Sequence, residues 1–212
     1  MLPDQTAEEI FALDHETRHV EWKTAGALSE KRYLAKIARA VIAMANTKGG
    51  GFIVIGIKES GGADRRNLSQ SERMVGVSDV ELPMWSHQGL ADKLQEYMQP
   101  PAIFECHQVT RAGKSFVVVE VEEFADQPLI CTRESQAQDG EKITQRGACY
   151  IRSRANVRSV PIGTYEEMRD LLDLAIDKGL RSFLERTQRV GLLAEKGPSD
   201  LEKFQAERGG LW

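Results

Sequence analysis

Three consecutive glycines, Gly49 to Gly51, join a long helical pattern to the apolar run Phe52-Ile-Val-Ile-Gly-Ile57. A run apolar at successive positions is buried on both faces, which predicts a central strand with structure packed on either side of it. The segment before it, from Ser29 as N-cap to about Ala45, repeats Leu34, Ile37, Ala38, Val41 and Ala45 at helical spacing. Asn46 to Gly51 must therefore stop a helix and turn the chain tightly into a strand. The glycines there are read as backbone that needs dihedrals a Cβ disfavours.

Other elements arrange themselves around this unit. An opening helix is predicted over residues 5–13, and a short strand over His19 to Lys23 with Val20 and Trp22 on its core face. A helix from Gln88 to Met98 is stopped by Pro100-Pro101. Two strands follow, near 103–110 and 115–122, joined at Ala112-Gly113. Residues 123–138 show no clear period, and the stretches Ile143 to Gln145 and Ala148 to Arg152 read as a hairpin about Arg146-Gly147. A helix from Thr164 to Arg189 would turn Met168, Leu171, Leu172, Ala175, Ile176 and Phe183 to one side. The expected architecture is α+β, a mixed sheet flanked by helices with a C-terminal helical extension. It divides into a domain over residues 1–190 and a tail over 191–212 that docks as a short helix.

The chain has 212 residues, 41% of them hydrophobic, enough for a sizeable core. Its longest apolar run is far below the roughly 18–20 residues of a membrane helix, and the start Met1-Leu-Pro-Asp-Gln5 lacks the basic and apolar regions of a secretory signal. A soluble, cytoplasmic protein with no membrane contact is expected. Cys106, Cys131 and Cys149 are odd in number and widely spaced, which argues against a disulfide framework, and no Cys-x2-Cys pair suggests zinc. A thiol nucleophile at Cys106-His107 lacks a third orienting group. The net charge of −4 means that any nucleic-acid contact comes from a local patch.

Such a patch exists between Arg146 and Arg158, where Arg146, Arg152, Arg154 and Arg158 occur with no acidic residue. In an extended segment Tyr150, Arg152 and Arg154 share a face, an aromatic ring beside two guanidinium groups. Lys48 in the glycine turn, and Arg65 and Arg66 in a polar loop over 59–72, are further candidate contacts. The glycine turn is not a Walker A loop, since it leads from helix to strand and lacks Gly-Lys-Ser/Thr, so no nucleotide site is expected. Three carboxylates stand near these elements: Glu16, Glu21 and, just past the apolar run, Glu59, with Lys23 beside them. Glu16 and Glu21 would face opposite ways on one continuous strand, so Glu16 has to precede the strand if the two are to meet.

The segment Glu16-Thr-Arg-His-Val-Glu21-Trp-Lys23, the turn Ala45-Asn-Thr-Lys-Gly-Gly50 and the later Tyr150-Ile-Arg-Ser-Arg154 resemble the AlbA_2 domain of the Schlafen family over roughly residues 10–180. What the resemblance implies is a metal-dependent endoribonuclease cutting structured RNA such as tRNA, in antiviral or stress defence. Glu16, Glu21 and Glu59 would then hold Mg2+ or Mn2+, and Lys23 would offset phosphate charge. It also implies that a single copy could form a homodimer to rebuild a two-lobed groove. The chain departs from the family in carrying Lys58-Glu59 where two acids are common. The other readings are a non-catalytic DNA-binding or regulatory module whose acids are structural, and an interaction subunit of a defence or toxin assembly.

Overall fold

The computed structural model describes residues 2–59, 68–155 and 157–191. In chain order the elements are α1 (Asp4–Ala12), β1 (Val20–Lys23), α2 (Lys31–Ala45), β2 (Gly51–Ile55), the one-turn α3 (Gln70–Arg73), a 3-10 turn (Leu82–Trp85), α4 (His87–Leu94) and β3 (Met98–Gln99). They continue with β4 (Phe104–Arg111), β5 (Lys114–Val121), β6 (Ile130–Cys131), β7 (Ser135–Gln136), β8 (Lys142–Thr144), β9 (Tyr150–Arg152), β10 (Ser159–Pro161) and α5 (Tyr165–Arg189). Backbone packing separates two units, Met1–Ala175 and Ile176–Trp212. No helix among the described residues is long and apolar enough to cross a membrane.

The first unit is α+β, built on a mixed four-stranded sheet in the order β1-β2-β5-β4. β1 and β2 run parallel, so the chain needs a crossover between them, and α2 supplies it. The remaining pairs are antiparallel. The apolar run behaves as a central strand should. Ile53 and Ile55 enter the core that includes α2 and α4, while Val54 enters the one that includes α1, and all three are fully buried. The β4–β5 connection is the expected two-residue turn, with Ala112 and Gly113 at φ 49° and 72°, the left-handed pair that suits the twist of a hairpin.

The helix-to-strand turn closes tightly. Gly50 has φ 64°, and a Cβ there would overlap the Val121 carbonyl oxygen and stand 2.9 Å from the Glu123 backbone nitrogen. Asn46, the C-cap of α2, ties distant segments to this corner. Its Nδ2 donates to the Leu129 carbonyl at 2.8 Å and the Tyr150 carbonyl at 3.0 Å, and its Oδ1 accepts from the Leu129 N–H at 2.8 Å. Thr47 adds a hydroxyl that accepts from the Arg152 N–H at 3.4 Å. The Asn-Thr pair therefore positions β9 as well as ending a helix.

Several expectations need correction. The N-cap of α2 is Glu30 rather than Ser29, without a side-chain cap bond: Ser29 lies in the turn closed by the Glu30 N–H and the Ala27 carbonyl, and the first helical bond runs from the Leu34 N–H to the Glu30 carbonyl. The helix expected to reach Met98 ends at Leu94, and Met98 pairs with Cys131 in a two-stranded ladder. Residues 143–152 do not form a hairpin: β8 pairs with β7, and β9 with β10. A local turn survives there, held by the Tyr150 hydroxyl accepting from the Gln145 N–H at 2.8 Å. On α5, Leu171 and Leu174 are buried, whereas Met168 and Leu172 are exposed. In the second unit Ile176, Leu180, Phe183 and Leu184 are exposed too, so of the anticipated apolar stripe Leu171 and Ala175 meet the core and the rest does not. The expected docking helix lies outside the described residues.

Candidate functional site

Alternation along β1 sends Val20 and Trp22 into the core beside α1, and Glu21 and Lys23 to the opposite face. That second face is covered as well, since Glu21 is 4% exposed and Lys23 7%. The cover is the β9–β10 pair, which brings in Arg152, 1% exposed, and Ser159. Glu21 Oε2 accepts from Arg152 Nη1 at 2.7 Å and from Ser159 Oγ at 2.6 Å. Its Oε1 lies 2.7 Å from Lys23 Nζ, which is also 2.9 Å from Glu59 Oε1. The lysine ammonium thus stands between two carboxylates. Arg152 directs its other donors to the carbonyls of Arg18 and Thr17, at 3.3 and 2.8 Å. Glu16 precedes the strand, as convergence with Glu21 requires, and accepts from the Trp22 N–H at 2.8 Å.

These side chains line one cleft of about 530 Å3, which Arg39, Glu141 and Arg158 also border. Its acids, Glu16, Glu21, Glu59 and Glu141, are matched in number by its bases, Lys23, Arg39, Arg152 and Arg158. Burial pushes the Glu21 carboxyl up, but the charges of Lys23 and Arg152 and the hydrogen bonds from Lys23 and Ser159 hold it below the usual carboxylate range. Burial acts on Lys23 in the lowering sense and is outweighed by Glu21 and Glu59, so its ammonium is held above the ordinary lysine value. Glu16 moves up because burial exceeds the help of the Trp22 N–H and the Lys23 charge.

The shift at Glu21 carries a sign. A carboxyl depressed in the folded state contributes stability that is complete above its unfolded value and disappears as pH falls through the lower folded one. Glu21→Gln is therefore expected to be less stable than wild type at neutral pH, with the gap narrowing on acidification. Urea midpoints of both proteins from about pH 7 to about pH 3 measure it, and a gap constant with pH would refute the assignment.

The carboxylates do not fit a divalent cation as they stand. Both oxygens of Glu21 are held by cationic or hydroxyl partners, and Lys23 already bridges Glu21 to Glu59. Among the described residues no three His, Cys, Asp or Glu side chains are grouped to hold a metal ion. Cys106 and His107 are successive residues of β4 and face opposite ways. Burial pushes the Cys106 thiol up to about 12, which keeps it protonated, and His107 Nε2 pairs instead with Glu120 at 2.9 Å.

The basic candidates separate into buried and open groups. Tyr150 and Arg152 do not present an aromatic and cationic face to solvent, because both are buried. Arg152 finds its acid in Glu21, which is remote in sequence, so the lack of acids between Arg146 and Arg158 was no guide to pairing. Arg154 is exposed and pairs with Asp170 at 2.8 Å. Lys48, Arg146 and Arg158 are exposed, and Arg158 borders the cleft. Arg65 and Arg66 lie outside the described residues. Arg39 of α2 also reaches the cleft and donates to the Ile143 carbonyl at 3.3 Å. Ser159 and Glu141 had no motif to mark them.

The Schlafen AlbA_2 profile matches residues 16–161. The chain belongs to the Schlafen AlbA_2 family. The matched span begins at Glu16 and ends with the last residue of β10, so it takes in β1 to β10 and the whole of the buried Glu21–Arg152 assembly. Membership in the Schlafen AlbA_2 family supports a nucleic-acid-related function. Among solved structures the chain is similar to the DIP2311 protein of Corynebacterium diphtheriae, at 17% identity over 78% of this chain and 27% of that one, with a TM-score of 0.48. It is also similar to the N-terminal domain of a putative ATP-dependent DNA helicase RecG-related protein from Nitrosomonas europaea. There the identity is 20% over 76% of this chain and 84% of that one, with a TM-score of 0.41. Neither likeness bears on function. No curated protein matches the chain.

Proposed function

We propose that this Schlafen AlbA_2 chain is a nucleic-acid-binding module in which Glu21 and Glu59 hold Arg152 and Lys23 in place rather than perform chemistry. The observation that carries this reading is the engagement of Glu21, whose two oxygens receive an arginine, a lysine and a serine hydroxyl. A carboxylate so occupied has little capacity left for an ion or a proton. Contact with the phosphate backbone falls to the open guanidinium of Arg158 at the cleft, helped by Arg39, with Lys48 and Arg146 elsewhere on the surface. The exposed Ile176, Leu180, Phe183 and Leu184 support a homodimer as part of the same reading, and a monomer by light scattering at high concentration would remove it.

A metal-dependent endoribonuclease acting on structured RNA such as tRNA is the second reading, and a separate observation favours it. Glu16 before β1, Glu21 and Lys23 on it, and Glu59 after β2 all border one cleft. Incubating total tRNA or duplex DNA with the protein, in Mn2+ or in EDTA, distinguishes the two on native and denaturing gels. The expected result is a salt-sensitive shift that survives EDTA, intact RNA, and roughly tenfold weaker binding by Arg158→Ala. Mn2+-dependent cleavage that Glu59→Gln abolishes would establish the nuclease instead. Glu59, with its side chain 36% exposed, is the cleaner probe, because Glu21→Gln disturbs the buried Arg152.

A further inference from the structure

The reverse face of β1 holds a second cavity, of about 150 Å3, that shares no residue with the cleft. Ile10, Phe11 and Leu13 of the α1 region, Trp22 of β1, and Arg73 and Met74 form most of its wall. An apolar cavity of about this size accommodates a single benzene ring. This one is not purely apolar, because two of the residues that line it carry buried donors, Trp22 Nε1 and Arg73 Nε, with no hydrogen-bond partner among the described residues. Trp22 is 3% exposed, so bulk water does not serve its indole N–H. A buried donor without an acceptor loses its hydration with nothing in return, and native proteins rarely leave one so. The Arg73 guanidinium donates to the Asp14 carbonyl at 3.0 Å and lies over the Trp22 ring, 6.0 Å from its centroid, and its charge also helps to lower the Asp14 carboxyl.

Mostly apolar walls of single-ring size, with two unsatisfied donors on residues that line them, one of them cationic, and with the Asp14 side chain largely exposed to solvent, define a complementary ligand. We propose that this cavity is a binding site for a small aromatic carboxylate, its ring against Phe11, Leu13 and Met74 and its carboxylate accepting from the Trp22 indole N–H and from Arg73. The site is independent of the nucleic-acid reading, since it lies on the other face of the strand. It uses β1 residues that face away from Glu21 and Lys23.

Benzoate is the probe. In the full chain, 1H–15N spectra carry indole signals from Trp22, Trp85 and Trp212, and Trp22→Phe assigns the first. Titration with millimolar benzoate is expected to move the Trp22 indole signal saturably and leave that of Trp85 in place. Arg73→Met should weaken benzoate at least tenfold while leaving benzene binding unchanged, and its own spectrum reports whether the variant is folded. A Trp22 signal that does not respond to benzoate overturns the proposal. So does undiminished benzoate binding by folded Arg73→Met, or benzene binding as tightly as benzoate in wild type.

Discussion

Arg152→Ala is expected to lower the stability of the fold by about 3–5 kcal/mol, the usual consequence of removing one partner from a buried ion pair. Arg152 is 1% exposed and Glu21 4%, so solvent screens neither charge. The substitution leaves Glu21 with Lys23 and Ser159 alone, and it removes a guanidinium donor from each of the carbonyls of Thr17 and Arg18. Urea unfolding measures the loss. The same variant tests what the pair is for, because replacing both charges with neutral side chains of similar shape removes the stranded partner. Glu21→Gln with Arg152→Met should therefore cost clearly less than the sum of the single changes. A loss under about 1 kcal/mol for Arg152→Ala would mean that the assembly contributes little to folding.

Gly50→Ala is the second large effect expected, about 3 kcal/mol or more. Two causes add at this position. A non-glycine residue in the left-handed region costs about 1–2 kcal/mol, and overlap with atoms that have no room to move costs about 1–3 kcal/mol more. The atoms met are backbone, the Val121 carbonyl oxygen and the Glu123 nitrogen, and backbone has no rotamer by which to yield. Gly113 separates the causes, since its φ of 72° is similar and a Cβ there meets nothing within 4 Å. Gly113→Ala should show only the conformational part. Equal midpoint shifts for the two variants would show that the overlap at Gly50 is relieved cheaply.

Patterns that are local were readable in the chain. Phe52–Ile57 announced a central strand because both of its faces are apolar, and Ala112-Gly113 announced a hairpin because a two-residue turn needs left-handed backbone. The meeting of Glu16, Glu21 and Glu59 in one cleft was also legible, through the resemblance of the Glu16–Lys23 and Ala45–Gly50 motifs. What closes the cleft was not. Arg152 and Ser159 reach Glu21 across well over a hundred residues of chain, and no period or spacing encodes a side-chain contact of that range. Tyr150 and Arg152 therefore resembled an open basic face when judged by their neighbours. The false hairpin over residues 143–152 has the same origin, because its two halves find partners in β7 and β10, outside the window that suggested it.

The amide of Asn46 behaves toward Leu129 as a strand neighbour would, donating to its carbonyl and accepting from its N–H, while it also holds the Tyr150 carbonyl. Both ends of the excursion from Cys131 to Cys149 are thereby anchored at one point of the core, whatever length of chain runs between them. Gly140, exposed between β7 and β8 with nothing within 4 Å of its Cβ position, marks a place where the excursion can lengthen. A flexible insertion after Gly140 should leave the steepness of urea unfolding unchanged. One asparagine thus holds open a port where chain can be added without renegotiating the core.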